Sequence, residues 1–135
     1  LVDGGEARRC FTYIDDAVDA VMAVLDHPEN ASQQIFNVGN ADNEISIAGL
    51  ASLMIELYRE IRPECSADVC GCENVSSETF YGKGYEDSDR RVPDNSKIER
   101  LLGWKAKTDL STALRKTVTA YIQEYGEACA CRKAG

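Results

Sequence analysis

The stretch Phe80 to Asp94, FYGKGYEDSDRRVPD, packs three aromatic rings, two glycines and an arginine pair into fifteen residues. Gly82 and Gly84 allow a tight, non-helical path that turns Tyr81 and Tyr85 toward a common side. Arg91 follows Tyr85 by six residues and precedes a helix expected to open at Pro93. Its guanidinium would then lie beside a helix N-terminus, where free N–H groups favour anions. Rings, flexible backbone and positive charge together describe the wall of a pocket for an anionic, ring-bearing ligand. The same residues also describe an exposed loop whose arginines pair with Glu86, Asp87 and Asp89, and both readings stand on the residues alone.

A second candidate lies in LVDGGEARRCF. Gly4 and Gly5 let backbone approach a ligand closely, and Arg8 or Arg9 can present a fork of donors to phosphate. A plain turn leading into a strand with exposed basic side chains explains the segment equally well. No G-x-G-x-x-G fingerprint occurs, and no tyrosine is followed four residues later by lysine, so no cofactor-binding residue is assigned. Six cysteines stand at 10, 65, 70, 72, 129 and 131. Their C-x4-C-x-C and C-x-C spacings differ from the C-x2-C of structural zinc sites, and His27 is the sole histidine, so no metal site is assigned.

Composition narrows the classes. The chain has 135 residues, enough for one domain, with 44% hydrophobic and 28% charged residues. A net charge of −8 argues against a nucleic-acid surface and makes the Arg90-Arg91 pair a local positive spot. No apolar run approaches the roughly 18 residues of a membrane span. The chain begins without an initiator Met in what reads as a strand and turn, the expectation for a piece of a longer protein.

The elements that must position these groups follow from periodicity. RRCFTYI reads as a short strand, and a helix capped by Asp15 or Asp16 runs to about Asp26. Ala17, Val18, Val21, Met22 and Leu25 form its expected buried face, and HPEN ends it. QIFNVGN reads as a buried strand. A helix capped by Ser46 follows, with Ile47, Leu50, Leu53, Met54, Leu57 and Ile61 on one stripe and Pro63 closing it. A strand is expected near Val75. Ile98, Leu101 and Leu102 face inward from a helix started by Pro93 and Asp94 and ended by Gly103. A last helix capped by Asp109 would bury Leu110, Ala113, Leu114, Val118, Tyr121, Ile122 and Tyr125. The mixture is α/β, or α+β as an isolated fragment: helix-rich, with a few short strands. Residues 1–126 are expected as one domain and 127–135 as a flexible tail.

LVDGGEARRCFTYIDDAVDAV, FNVGNADNEISI, FYGKGYEDSDRRVPD and LLGWKAKTDL resemble the C-terminal half of extended short-chain dehydrogenase/reductases acting on nucleotide sugars. NVGN-x-x-NE combined with FYGKGY-x-D-x-x-x-R-x-P is similar to UDP-glucuronate decarboxylases and, more closely, UDP-apiose/UDP-xylose synthases. The resemblance implies the substrate-binding lobe of an NAD-dependent enzyme that oxidises the sugar 4-hydroxyl of UDP-glucuronic acid and then decarboxylates it. It implies that Leu1, Val2, Asp3, Gly4, Gly5, Arg8 and Arg9 lie along the UDP moiety and that Tyr85 contacts substrate. Arg91 matches the catalytic arginine near the departing carboxylate. NAD is expected in the complete enzyme and not in this chain alone, which should be inactive because the glycine fingerprint and the tyrosine-lysine pair of the family lie outside it. The expected partners are a UDP-sugar and either a missing Rossmann half or a second copy, in the cytoplasm, with neither nucleic acid nor membrane. The competing reading is a free-standing, non-catalytic binding or self-associating module.

Overall fold

The computed structural model describes residues 1–64 and 71–129, with side chains to residue 125. Cys65, Cys70, Cys131, the side chain of Cys129 and most of the expected tail lie outside the described residues. The elements are β1 (Arg8–Cys10), α1 (Ile14–Asp26), α2 (Pro28–Ala31), β2 (Glu44–Ser46), α3 (Ile47–Ile61), α4 (Ser77–Tyr81), β3 (Arg90–Arg91), α5 (Ser96–Leu102) and α6 (Leu110–Cys129). No helix among the described residues is long and apolar enough to cross a membrane.

One small sheet organises the molecule, in the order β2-β1-β3. β1 pairs antiparallel with β2, placing Arg8 opposite Ser46 and Cys10 opposite Glu44. It pairs parallel with β3, placing Arg8 beside Arg90 and Arg9 beside Arg91. Because side chains alternate across a strand, each doublet sends one arginine to each face of the sheet.

The core lies between α1, α2, α5 and the segment after it. Ala20, Ala31, Ile98, Leu102 and Trp104 are buried together, with Ala23, Val24, Phe36, Leu101 and Ala106 packed against them. Ile98 is fully enclosed, a burial that stabilises by about 1.5–3 kcal/mol. Its helix stops where expected, at Gly103, whose left-handed φ of 67° suits a residue without Cβ. α3 begins at its expected cap, with Ser46 Oγ accepting from the Gly49 N–H at 3.0 Å. It packs on α6, where Leu57 and Ala113 are buried and Arg115 grips both oxygens of Glu60 at 3.0 and 2.9 Å. Asp109 caps α6 as expected, accepting from the Thr112 N–H at 3.0 Å.

Several expectations are overturned. α1 starts at Ile14 behind Tyr13, and neither Asp15 nor Asp16 caps it. Its expected inner face is largely an outer one: Val18, Val21 and Met22 are exposed and Leu25 is 65% exposed, while Ala20, Ala23 and Val24 face the core. Both faces of this helix are apolar, so periodicity alone could not choose between them. HPEN opens α2 with Pro28 in its first turn rather than merely ending α1. QIFNVGN forms no strand and Ile35 is 86% exposed, because no described strand lies beside it to take up its backbone groups. Near Val75 there is only an isolated parallel bridge to Val2. Met54, Tyr121 and Tyr125 lie exposed on their helices instead of buried. α5 opens at Ser96 rather than at Pro93 or Asp94, so Arg91 belongs to β3 and does not abut a helix N-terminus.

Candidate functional site

The first residues make one wall of a cleft. Val2 bridges to Val75, the Asp3 N–H donates to the Val75 carbonyl at 2.9 Å, and Asp3 Oδ1 accepts from the Ser77 N–H at 2.9 Å. Those bonds from Ser77 hold the Asp3 carboxyl below its usual range. The chain then turns through Gly4 and Gly5, with φ of 75° and 70°, and a Cβ at Gly5 would meet the Ala48 nitrogen at 2.8 Å. Only glycine fits that approach.

The opposite wall comes from α4 and the loop after it. Gly82 and Gly84, at φ of 95° and 80°, fold the backbone so that the rings of Tyr81 and Tyr85 stack at 4.0 Å between centroids. Between the walls lies a cleft of about 410 Å³, lined by Val2, Asp3, Gly5, Glu6, Ala7, Arg9, Ile47, Ser77, Tyr81, Tyr85, Asp87, Ser88 and Asp89.

Charge converges on Asp87. Arg9 Nη2 donates to its Oδ2 at 2.7 Å, Arg91 Nη2 donates to its Oδ1, and the Ser88 N–H donates to the same Oδ1 at 2.8 Å. The Ser88 N–H, then Arg9 and Arg91, hold the carboxyl below its usual range against the effect of burial. Tyr85 joins this group: burial pushes its phenol up, the Asp87 charge and Tyr81 add to that, and Arg91 opposes it. Arg9 is also fixed independently, its Nη1 donating to the Arg8 carbonyl at 2.7 Å.

On the other face of the sheet, Glu44 performs the same bridging for the other two arginines. Arg90 grips both of its oxygens at 2.6 and 2.8 Å, and Arg8 Nε donates to Oε1 at 3.0 Å. The bond from Arg90 is the main cause that lowers the Glu44 carboxyl to about 2.

Among the residues singled out from sequence, the structure brings Val2, Asp3, Gly5, Arg9 and Tyr85 to the cleft and sets Arg91 at its edge through Asp87. Arg8 turns away to Glu44. Leu1 and Gly4 do not line the cleft and serve the wall behind it, the Leu1 carbonyl accepting from the Val75 N–H and the Gly4 N–H donating to Asn74 Oδ1. Of the expected pairings of the two arginines with Glu86, Asp87 and Asp89, Arg91 takes Asp87, while Arg90 turns to Glu44. Sequence reasoning missed Glu44 and the bridging place of Asp87. Strand alternation was the available signal, since it forbids Arg8 and Arg9 from sharing a face.

Comparison with known proteins decides the affiliation. The model of the GDP-mannose 4,6 dehydratase family matches residues 1–117. The chain belongs to this family. Within the GDP-mannose 4,6 dehydratase family it is 46% identical over 128 residues to UDP-D-apiose/UDP-D-xylose synthase 1 of Arabidopsis thaliana, covering 95% of this chain and 33% of that protein. The PbgP3 protein of Burkholderia pseudomallei superimposes with a TM-score of 0.75 at 30% identity, over 96% of this chain and 36% of that one. UDP-glucuronic acid 4-epimerase from Bacillus cereus, solved with UDP-glucuronic acid and NAD, superimposes with a TM-score of 0.65 at 24% identity, over 89% of this chain and 33% of that one. That last likeness shows the fold alone, a helix-rich lobe with a small three-stranded sheet. The chain spans about a third of the length of these relatives.

Proposed function

We propose that residues 1–126 form the sugar-nucleotide-binding portion of a cytoplasmic, NAD-dependent enzyme that oxidises and decarboxylates UDP-glucuronic acid, of the UDP-apiose/UDP-xylose synthase kind. One observation carries the reading: Arg9, Tyr85 and Arg91 meet around the Asp87 carboxylate at the edge of a cleft walled by the amino-terminal glycines. Two guanidiniums placed side by side by strand pairing can take up two acidic groups of one ligand. The relative in Arabidopsis thaliana is named for UDP-sugars, which supply a diphosphate, and UDP-glucuronic acid adds a carboxylate.

Arg91 is assigned the catalytic position. A guanidinium stays protonated in proteins, so its part is to hold the sugar carboxylate and then to stabilise the enolate charge that develops as CO2 departs. Tyr85 presents a ring face and a phenol to the sugar, and Arg9 holds phosphate. The described residues offer no strand-turn-helix with a glycine cradle for a dinucleotide. The exposed apolar row on α1 supports the expectation that a nucleotide-binding half covers this lobe.

Calorimetry with UDP-glucuronic acid tests the assignment. Arg91→Ala should weaken binding by about 10- to 150-fold, as for loss of a charge-assisted bond to a carboxylate worth about 1.5–3 kcal/mol. Identical heats from wild type and variant would remove Arg91 from the site.

A further inference from the structure

The sheet carries two acid-bridged arginine pairs, one on each face, and they differ in how firmly they are built. Glu44 is held in a fork by Arg90 and also takes Arg8, and its side chain is only 16% exposed. Asp87 gives one oxygen to each arginine and its side chain is 35% exposed. It lies on a segment, residues 82–89, that is exposed throughout and hinged by two left-handed glycines with open space around them.

We infer that Asp87 is a built-in stand-in for the ligand's oxyanion: its carboxylate holds the Arg91 guanidinium at the edge of the cleft and yields it when a carboxylate or phosphate of the ligand arrives. The inference rests on the UDP-sugar reading of the cleft. Asp87 is the partner that the described residues give to the Arg91 guanidinium, which is otherwise solvated. Arg9, by contrast, stays in place without Asp87 because the Arg8 carbonyl also holds it. Asp87 keeps its bond to Arg9, and the Asp89 carbonyl accepts from the Arg8 N–H at 2.7 Å, so releasing Arg91 does not unmoor the loop. Exchange of one carboxylate for another on a solvent-facing guanidinium conserves the number of charge-assisted bonds. A ligand without a matching oxyanion would have to leave Arg91 on Asp87 and would gain nothing from it. Asp87 thereby keeps Arg91 placed for an acidic ligand and lowers the affinity with which that ligand is held.

The test titrates the 135-residue chain by calorimetry as wild type, Asp87→Asn and Asp87→Glu, with UDP-glucuronic acid, UDP-glucose and inorganic pyrophosphate as probes. Removing a competing exposed carboxylate should tighten oxyanion binding about 2–5-fold in the Asn variant. The Glu variant, which keeps the charge, should stay within about twofold of wild type. A gain confined to UDP-glucuronic acid supports exchange with the sugar carboxylate, and a gain shared by UDP-glucose supports exchange with the diphosphate. A gain for pyrophosphate without binding of either UDP-sugar keeps the exchange and sinks the UDP-sugar reading. UDP-sugar binding that is equal or weaker in the Asn variant overturns the exchange and leaves the UDP-sugar reading intact. An Asn variant unfolded by circular dichroism also overturns it, since the carboxylate would then be structural. Absence of heat from every probe with every protein overturns both.

Discussion

Replacing Asp16 by alanine should cost this chain a large part of its stability. The residue is 5% exposed, and its carboxylate takes the Thr108 N–H at 2.9 Å, the Lys107 N–H at 3.3 Å and the Thr108 hydroxyl at 3.1 Å. The Asp16 carbonyl separately accepts from the Trp104 indole N–H at 3.0 Å. This one residue therefore ties the first turn of α1 to the segment between α5 and α6. A hydrogen bond to a charged group contributes about 1.5–3 kcal/mol, and a buried donor left alone costs about 1–3 kcal/mol. The three bonds share one carboxylate and Lys107 is exposed, so they do not add fully; about 3 kcal/mol is the expected loss. Asp16→Asn keeps one oxygen for the Thr108 N–H and should lose about half as much. With a urea slope of about 1.5 kcal/mol per molar, the midpoint should fall by about 2 M in the alanine variant. The chain's only tryptophan, Trp104, is buried at this junction, so its fluorescence reports the transition directly. A fall below about 0.5 M, with the slope unchanged, would show that the carboxylate does not hold these segments together.

Gly39→Ala should destabilise by about 1–3 kcal/mol, read as a lower thermal midpoint, because the added Cβ would meet Pro93 Cγ at 2.5 Å. An unchanged midpoint would mean that Pro93 moves aside freely. The Glu44 carboxyl is lowered to about 2 from its ordinary value of 4.5, so its contribution is complete above about pH 4.5 and is lost as pH falls toward 2. Across that window wild type should lose more stability than Glu44→Gln, with the two denaturation curves converging at the acid end; parallel curves would dismiss the clamp.

The helices were legible because their signals are local. Ser46, Gly103 and Asp109 mark ends by their own side chain or by its absence, and α3 and α5 each have one dominant apolar stripe. α1 was misread for a different reason. It is apolar on two faces, and which face meets Ala31, Ile98 and Trp104 depends on partners far along the chain. Asp16 reads as a cap from its neighbours alone, while its actual bonds cross more than ninety positions to Lys107 and Thr108. The cleft residues showed through their types: glycines for close approach, aromatic rings, and guanidiniums. The partition of four arginines between two carboxylates did not, because it follows from the parallel register of β1 on β3, which no local pattern announces.

That register makes parity matter more than residue type. Arg8 and Arg9 are chemically the same, as are Arg90 and Arg91, yet one member of each doublet bonds Glu44 and the other bonds Asp87. A slip of β3 by one residue along β1 would swap these duties at a stroke, because it would send each side chain to the opposite face.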